Sequence, residues 1–316
     1  MMQRFRGICL AILIGVAGCA QRPQGCRIAT LGTLPVVNTQ GSPVVEVTLN
    51  GQKAGMIVDT GASVSMVSRK AAHDYKLRIM PGDVPVQGVG GVVLSSIFQV
   101  DTLGLGAAKA ENVVLVDTPR VFGSINTLPV VGLFGADFLK AFEVVFNLPE
   151  HTINLYQIRG CNSPTPTWDG PVSSVAFHWA GPSHIELPLE LNGHEIDAVL
   201  DSGSSMTVIL PRQAHRAGVY ADQLKADMSL SSRGIDRHSF QVKLHRFERL
   251  QIGDDVFINP VLAVAAMQTE GDALLGADFL RHNRVWISNR DEKIYIQRLT
   301  PPPRKDPTFE PVMTQL

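Results

Sequence analysis

The chain repeats itself at a spacing of 142 residues. "DTGAS" at 59–63 returns as "DSGSS" at 201–205. The same offset lays "LNG" at 49–51 on "LNG" at 191–193, and Ala72-His73 on Ala214-His215. Further on, "GLFGADFLKAF" at 132–142 answers "ALLGADFLRHN" at 273–283, with Gly135 and Gly276 141 positions apart. One D-[TS]-G is a weak pattern. Two of them, each set between the same turn and the same later segment, mark a duplication. The repeat length is that of one compact domain, so the 316 residues must fold as two like units in tandem.

Within each unit the signals are mostly β. "VVEVTLNGQKAGMIVD" and "HIELPLELNGHEIDAVLD" each carry two apolar runs about an Asn-Gly pair, Asn50-Gly51 and Asn192-Gly193. That is a strong hairpin signal. Each Asp loop is followed by a short apolar strand and a brief helical stretch near Arg69–Asp74 or Arg212–Ala217. "LFGADFL" and "LLGADFL" predict a buried strand entering a short helix, where Asp137 and Asp278 are expected as N-caps rather than as reactive groups. "EVVFNLPEHTINLY" and "VWISNRDEKIYI" read as closing hairpins. The expected boundaries are an arm at 19–42, a first lobe at 43–160, a Pro-, Ser- and Thr-rich linker at 161–183, a second lobe at 184–299 and a Pro-rich tail at 300–316.

Composition narrows the function. Hydrophobic residues make up 45% and charged residues 18%, as in a chain with a real core. Lys plus Arg number 28 against 29 Asp plus Glu, which gives no electrostatic case for a nucleic-acid partner. The sequence has neither CxxC nor HExxH, so no metal or cofactor is expected. "GASVS" and "GSSMT" lack the closing Gly of a nucleophile elbow. His73 and His215 coincide in the repeat but are expected to pack or cap.

The N-terminus, "MMQRFRGICLAILIGVAGCAQ", sets Arg4 and Arg6 before an apolar run too short to span a bilayer. Its end, "VAGC", resembles the lipobox of bacterial lipoproteins. That resemblance implies cleavage after residue 18, a lipid on Cys19 and an envelope location facing the periplasm, with the outer membrane favoured. Two further cysteines, Cys26 and Cys161, flank the first half of the chain in a compartment that permits disulfides. A bridge between them would clip the arm to the linker.

Asp59 and Asp201, one per unit, suggest a shared pair of carboxylates. Two carboxylates in one site cannot both ionise cheaply, so one holds a proton and the pair titrates as a unit. Such a pair can activate a water for attack on a peptide carbonyl. Gly61 and Gly203 are expected to allow the tight turns, and the hydroxyls of Thr60 and Ser202 to bond the opposite loop. Ser204 is expected to donate to Asp201, where its counterpart Ala62 cannot. Asp201 is thus expected to ionise more readily.

"VDTGAS" and "LDSGSS", each followed by the Gly-Ala-Asp-Phe-Leu segment, resemble the retropepsin-like aspartic proteases over nearly all of residues 43–297. The resemblance implies an all-β chain with two tandem retropepsin- or pepsin-like lobes and a cleft between them. It implies Asp59 and Asp201 as the catalytic pair of an aspartic endopeptidase, supported by Thr60, Gly61, Ser202, Gly203 and Ser204. It implies a polypeptide substrate, and a monomer in which the lobes form an internal pseudo-dimer. It also implies a β-hairpin flap. "PVQGVGGVV" at 85–93 has that character at Gly88, Val89, Gly90 and Gly91, whereas "LSSRGIDRHSF" offers only Gly234. The competing expectation is an envelope lipoprotein of the same fold that binds or scaffolds peptides without cutting them.

Overall fold

The structure is a computed structural model and describes residues 26–88, 91–161, 164–181, 183–233 and 239–299. The lipobox with Cys19, the tail, Val89, Gly90 and Gly234 lie outside the described residues.

The arm contributes β1 (Arg27–Pro35). Lobe one follows with β2 (Val44–Leu49), β3 (Gln52–Val58), β4 (Met66–Ser68), α1 (Arg69–Asp74), β5 (Arg78–Gly88), β6 (Gly91–Leu105), β7 (Ala108–Thr118), β8 (Ser124–Ile125), β9 (Leu128–Phe134), α2 (Ala136–Leu139), β10 (Glu143–Asn147) and β11 (Thr152–Arg159). The connection holds β12 (Ser173–Ala176) and β13 (His178–Ala180). Lobe two holds β14 (His184–Leu191), β15 (His194–Leu200), β16 (Val208–Ile209), α3 (Pro211–Arg216), α4 (Ala221–Ala226), β17 (Met228–Arg233), β18 (Ser239–Arg246), β19 (Arg249–Ile252), β20 (Asp255–Ile258), β21 (Val261–Ala265), β22 (Ala273–Leu275), α5 (Ala277–His282), β23 (Asn283–Ser288) and β24 (Lys293–Arg298).

The Asn-Gly hairpins form at the positions the sequence predicts. Asn50 and Gly51 have φ of 49° and 82°, and Asn192 and Gly193 have 48° and 81°. Two successive positive φ values are the condition of a tight turn that matches strand twist, and Asn-Gly meets it with the least steric cost. The turns fix the register β2–β3 and β14–β15. The first strand of each unit alternates between buried and more exposed residues, with Val45, Val47 and Leu49 of β2 facing the core.

A six-stranded sheet in the order β1-β11-β10-β23-β24-β12 joins the lobes. Its central pairing is antiparallel, β10 to β23, with Val144 opposite Ile287 and Phe146 opposite Val285. Both closing hairpins thus meet edge to edge, and one lobe covers the other's exposed strand. Trp286 and Tyr295 cover one face together with Val145, joined by Trp168 and Tyr156. The opposite face belongs to the main core.

The stretch read as a linker departs from that reading at its centre. β12 pairs with β24 and β13 with β14, so the connection is woven into both sheets. Three of its four prolines, Pro164, Pro166 and Pro171, stand before the first of these strands and leave the ladder donors intact. The arm is likewise structural, since β1 lies antiparallel on β11.

Cys26 and Cys161 form a disulfide across a sequence separation of 135. It ties the free edge strand β1 to the end of β11. Closing a loop of that length in the unfolded chain is worth roughly 2–4 kcal/mol. Cys161→Ser is expected to lower stability by that amount in urea unfolding. Equal midpoints with and without reductant would contradict it.

Candidate active site

Each lobe builds its acidic loop in the same way. β3 runs parallel to β9, with Val58 beside Phe134, and β15 runs parallel to β22, with Leu200 beside Leu275. The loop leaves the first strand at Asp59 or Asp201, whose N–H donates to Phe134 O or Leu275 O at 2.9 Å. Both aspartates therefore emerge from parallel pairings at the centre of their lobes.

The loops meet face to face and interlock. Thr60 Oγ1 donates to Leu200 O at 2.6 Å and accepts from Ser202 N at 2.9 Å. Ser202 Oγ donates to Val58 O at 2.7 Å and accepts from Thr60 N at 3.0 Å. Ser202 and Thr60 are fully or almost fully buried, so every one of these groups depends on the other lobe.

Gly61 and Gly203 have a different reason from the expected one. Neither has positive φ, so the turn itself does not demand glycine. A Cβ at Gly61 would collide with the Asp201 carboxyl, and one at Gly203 with that of Asp59. The glycines let each carboxyl lie against the opposite loop.

Asp59 and Asp201 are hydrogen-bonded to each other. Both keep a partial opening to solvent, yet dense packing strips most water from their carboxyls. Burial is the main force raising both above the ordinary carboxylate value. The charge of Asp201 pushes Asp59 well above it, against the N–H groups of Gly61 and Ala62. Asp201 rises less, because the N–H of Ser204, the Asp59 hydroxyl, the N–H of Gly203 and nearby His184 all favour its charged form. Asp59 is the proton carrier and Asp201 the anion.

The expected role of Ser204 is corrected. Its hydroxyl donates to Met206 O at 2.7 Å, and only its N–H reaches Asp201, at 3.0 Å. The N–H of Ala62 serves Asp59 in the same way at 3.1 Å, so the Ala62/Ser204 difference does not separate the two carboxyls. The asymmetry comes chiefly from the pair itself, since the charge of Asp201 raises Asp59 while the hydrogen bond from Asp59 favours ionised Asp201, and a smaller bias comes from His184, at the start of β14. Its Nδ1 meets Glu270 Oε2 at 2.6 Å, and its Nε2 lies 3.3 Å from Ser63 Oγ of the opposite lobe. Nothing in the repeat points to His184, because the offset sets it opposite Ser42 and not opposite another histidine. On the other side of the interface the link is Ser42 Oγ donating to Gly203 O at 2.7 Å, and Arg281 donating to Gly41 O.

Asp137 and Asp278 are not N-caps. Gly135 and Gly276 hold those positions, and each aspartate is the second residue of its helix. Ser65 Oγ donates to Asp137 and accepts from Gly135 N. Thr207 donates to Asp278 through both N–H and hydroxyl, each at 2.8 Å. These carboxyls brace the strand that follows each acidic loop. Burial pushes Asp278 up to about 6 despite its donors. His73 stands at the surface beside Asp74, and His215 lies edge-on to Tyr220 with ring centroids 5.0 Å apart. Neither belongs to the site.

Two hairpins rise beside the acidic loops. β5 and β6 pair through to Gly88 and Gly91, and β17 and β18 from Met228 to Arg233. Each stands on a small apolar cluster. Val84 and Val86 of the first pack against the cluster that holds Ile57 and Leu133, as Ala62 and Val64 do, and Leu230 of the second packs against the cluster of Val208 and Val242, as Met206 does. Lobe two thus has a hairpin in the equivalent place without a Gly-rich sequence, and a shorter one.

A family model described as aspartyl protease matches the chain twice, at residues 45–138 and 187–279. A curated relative, DNA damage-inducible protein 1 of Kluyveromyces lactis, is 27% identical over 127 residues, which is 38% of this chain and 28% of that protein. The chain therefore matches well under half of that relative's length. A solved structure, the aspartic proteinase from Irpex lacteus, is similar at 14% identity with a TM-score of 0.49, covering 85% of this chain and 97% of that one.

Proposed function

Because the chain belongs to the aspartyl protease family, we propose that it is an aspartic endopeptidase in which Asp59 and Asp201 are the catalytic pair. The observation that carries this is the mutual hydrogen bond of two desolvated carboxyls at a locked inter-lobe junction. Ionised Asp201 takes a proton from a water as its oxygen attacks the scissile carbonyl carbon. Protonated Asp59 gives its proton to the developing oxyanion. The tetrahedral intermediate then collapses as the C–N bond breaks, the amine leaves with a proton from Asp201, and one gem-diol hydroxyl returns its proton to Asp59, so the pair ends as it began. Extended peptide adds as a strand beneath the β5–β6 hairpin.

The test is digestion of a peptide library from pH 4 to 8 with mapping of the new termini. Defined internal cleavage sites are expected, and an intact library across the range would sink the proposal. Activity needs Asp201 charged and Asp59 protonated. It therefore rises as the first loses its proton and falls as the second does. Both are raised, so both limbs of the kcat/KM profile are expected above the ordinary carboxylate range near pH 4. His184→Ala is expected to move the acid limb to higher pH, because Asp201 then loses a favourable neighbour. An unmoved acid limb would show that His184 does not bias the pair.

Cys19 is proposed to carry a lipid that holds the protein at the cell envelope, facing the periplasm. The Cys26–Cys161 disulfide supports an oxidising compartment. Labelled palmitate incorporated by the wild type and not by Cys19→Ser is the expected result.

A further inference from the structure

Between β7 and β9 the segment 119–127, which includes the short strand β8, runs beside the Asp59 loop. Phe122 packs against the small cluster built on Ile57, Met66, Val116 and Leu133, the same cluster that Ala62 and Val64 of the Asp59 loop and Val84 and Val86 of β5 pack against. Val121 points out and is 72% exposed. Arg120 lies over the Phe122 ring, its guanidinium carbon 5.3 Å from the centroid. Among the described residues that guanidinium has no hydrogen bond and no ion pair, and it lies within electrostatic reach of the Asp59 carboxyl. Its pKa is lowered by burial, the mark of a cation with little water around it.

The pseudo-equivalent loop of lobe two, 266–272, carries no basic residue. Its two acids are already matched, Glu270 by His184 and Asp272 by Arg212. The cleft is thus unlike across its pseudo-twofold axis. One wall offers an open cation on an aromatic plate, and the other has its charges neutralised internally. A partly desolvated guanidinium beside an aromatic ring is suited to a carboxylate, which it can grip with two parallel N–H donors.

We infer that Arg120 is a specificity residue, and that the cleft prefers substrates with a Glu or Asp side chain close to the bond that is cut. This rests on the cleft being a peptide site, as proposed above. Removing the guanidinium would cost little for neutral peptides and would erase the preference for acidic ones.

The test uses peptides whose scissile amide is reduced to CH2–NH and cannot be cut. A panel carries Glu or Gln at each position flanking that bond, and binding to the full chain is measured by calorimetry. At one position the wild type is expected to favour Glu by about tenfold or more, the worth of a charge-assisted hydrogen bond. Arg120→Gln is expected to bring that ratio to about one, and Arg120→Glu to reverse it. Arg120→Lys is expected to keep part of it. Thermal unfolding and the affinity for the Gln peptides establish that each variant is folded. Equal affinity for Glu and Gln peptides throughout, a preference that survives Arg120→Gln, or no binding of any peptide would overturn the inference. Tight, Arg120-dependent binding of the Glu peptides with no hydrolysis of their ordinary amide forms would uphold it and overturn the protease reading instead.

Discussion

Asp201→Asn and Asp59→Asn are each expected to reduce kcat for peptide hydrolysis by about 10²–10⁴-fold with little change in KM. The estimate follows from what positioned proton transfer contributes. With Asn at 201 no base is left to take the water proton. With Asn at 59 the oxyanion meets an amide that can donate a hydrogen bond but cannot release a proton. The two variants should differ in kind as well as in size. Asp201→Asn also removes the charge that raises Asp59, and Asp59→Asn removes the neighbour that donates to Asp201. Any residual activity should therefore respond to pH differently in each. The measurement is single-turnover cleavage of a mapped library peptide across pH 4–8. Cleavage of equal rate by all three proteins would end the claim that these carboxyls do the chemistry.

Removing both interlocking hydroxyls, in Thr60→Val with Ser202→Ala, is expected to cost about 4 kcal/mol or more in urea unfolding. The change leaves Val58 O, Leu200 O, Thr60 N and Ser202 N without partners in a buried junction, and each such group costs about 1–3 kcal/mol. Each single variant breaks two of the four bonds, one given and one accepted. The hydroxyls share one loop pair, so the single effects should not add. Activity should fall further than stability alone requires, because the carboxyls would keep their fold but lose their alignment. A double variant that loses under about 1 kcal/mol and retains full kcat would show that the inter-lobe sheet alone aligns the pair.

Much of this was readable in the sequence, and the unread parts have physical reasons. Hairpins at Asn50-Gly51 and Asn192-Gly193 are local events, set by residues that tolerate positive φ, so their signal is local too. The acidic loops were found because the chain contains its own comparison. The pairing of β10 with β23 left no trace. Its strands lie about 140 residues apart, and each reads as a hairpin edge that any partner might cover. β12 was hidden by the prolines before it. Ser204 was misassigned because a hydroxyl near a carboxylate invites a bond, while the geometry turned it to Met206 O. Asp137 and Asp278 were placed two positions out, since helices of four and six residues give periodicity too little length to fix their start. His184 and Arg120 lie outside the repeated words, and a comparison of halves is blind to what only one half has.

The woven sheet has one more consequence. When two separate chains must meet to complete a site, dilution takes the site apart. Here β10, β11, β23 and β24 belong to one covalent chain and share a single ladder, so each half sees the other at a fixed effective concentration however thin the solution. Turnover per molecule should then be the same at nanomolar and micromolar protein, and the site need not await a collision to exist.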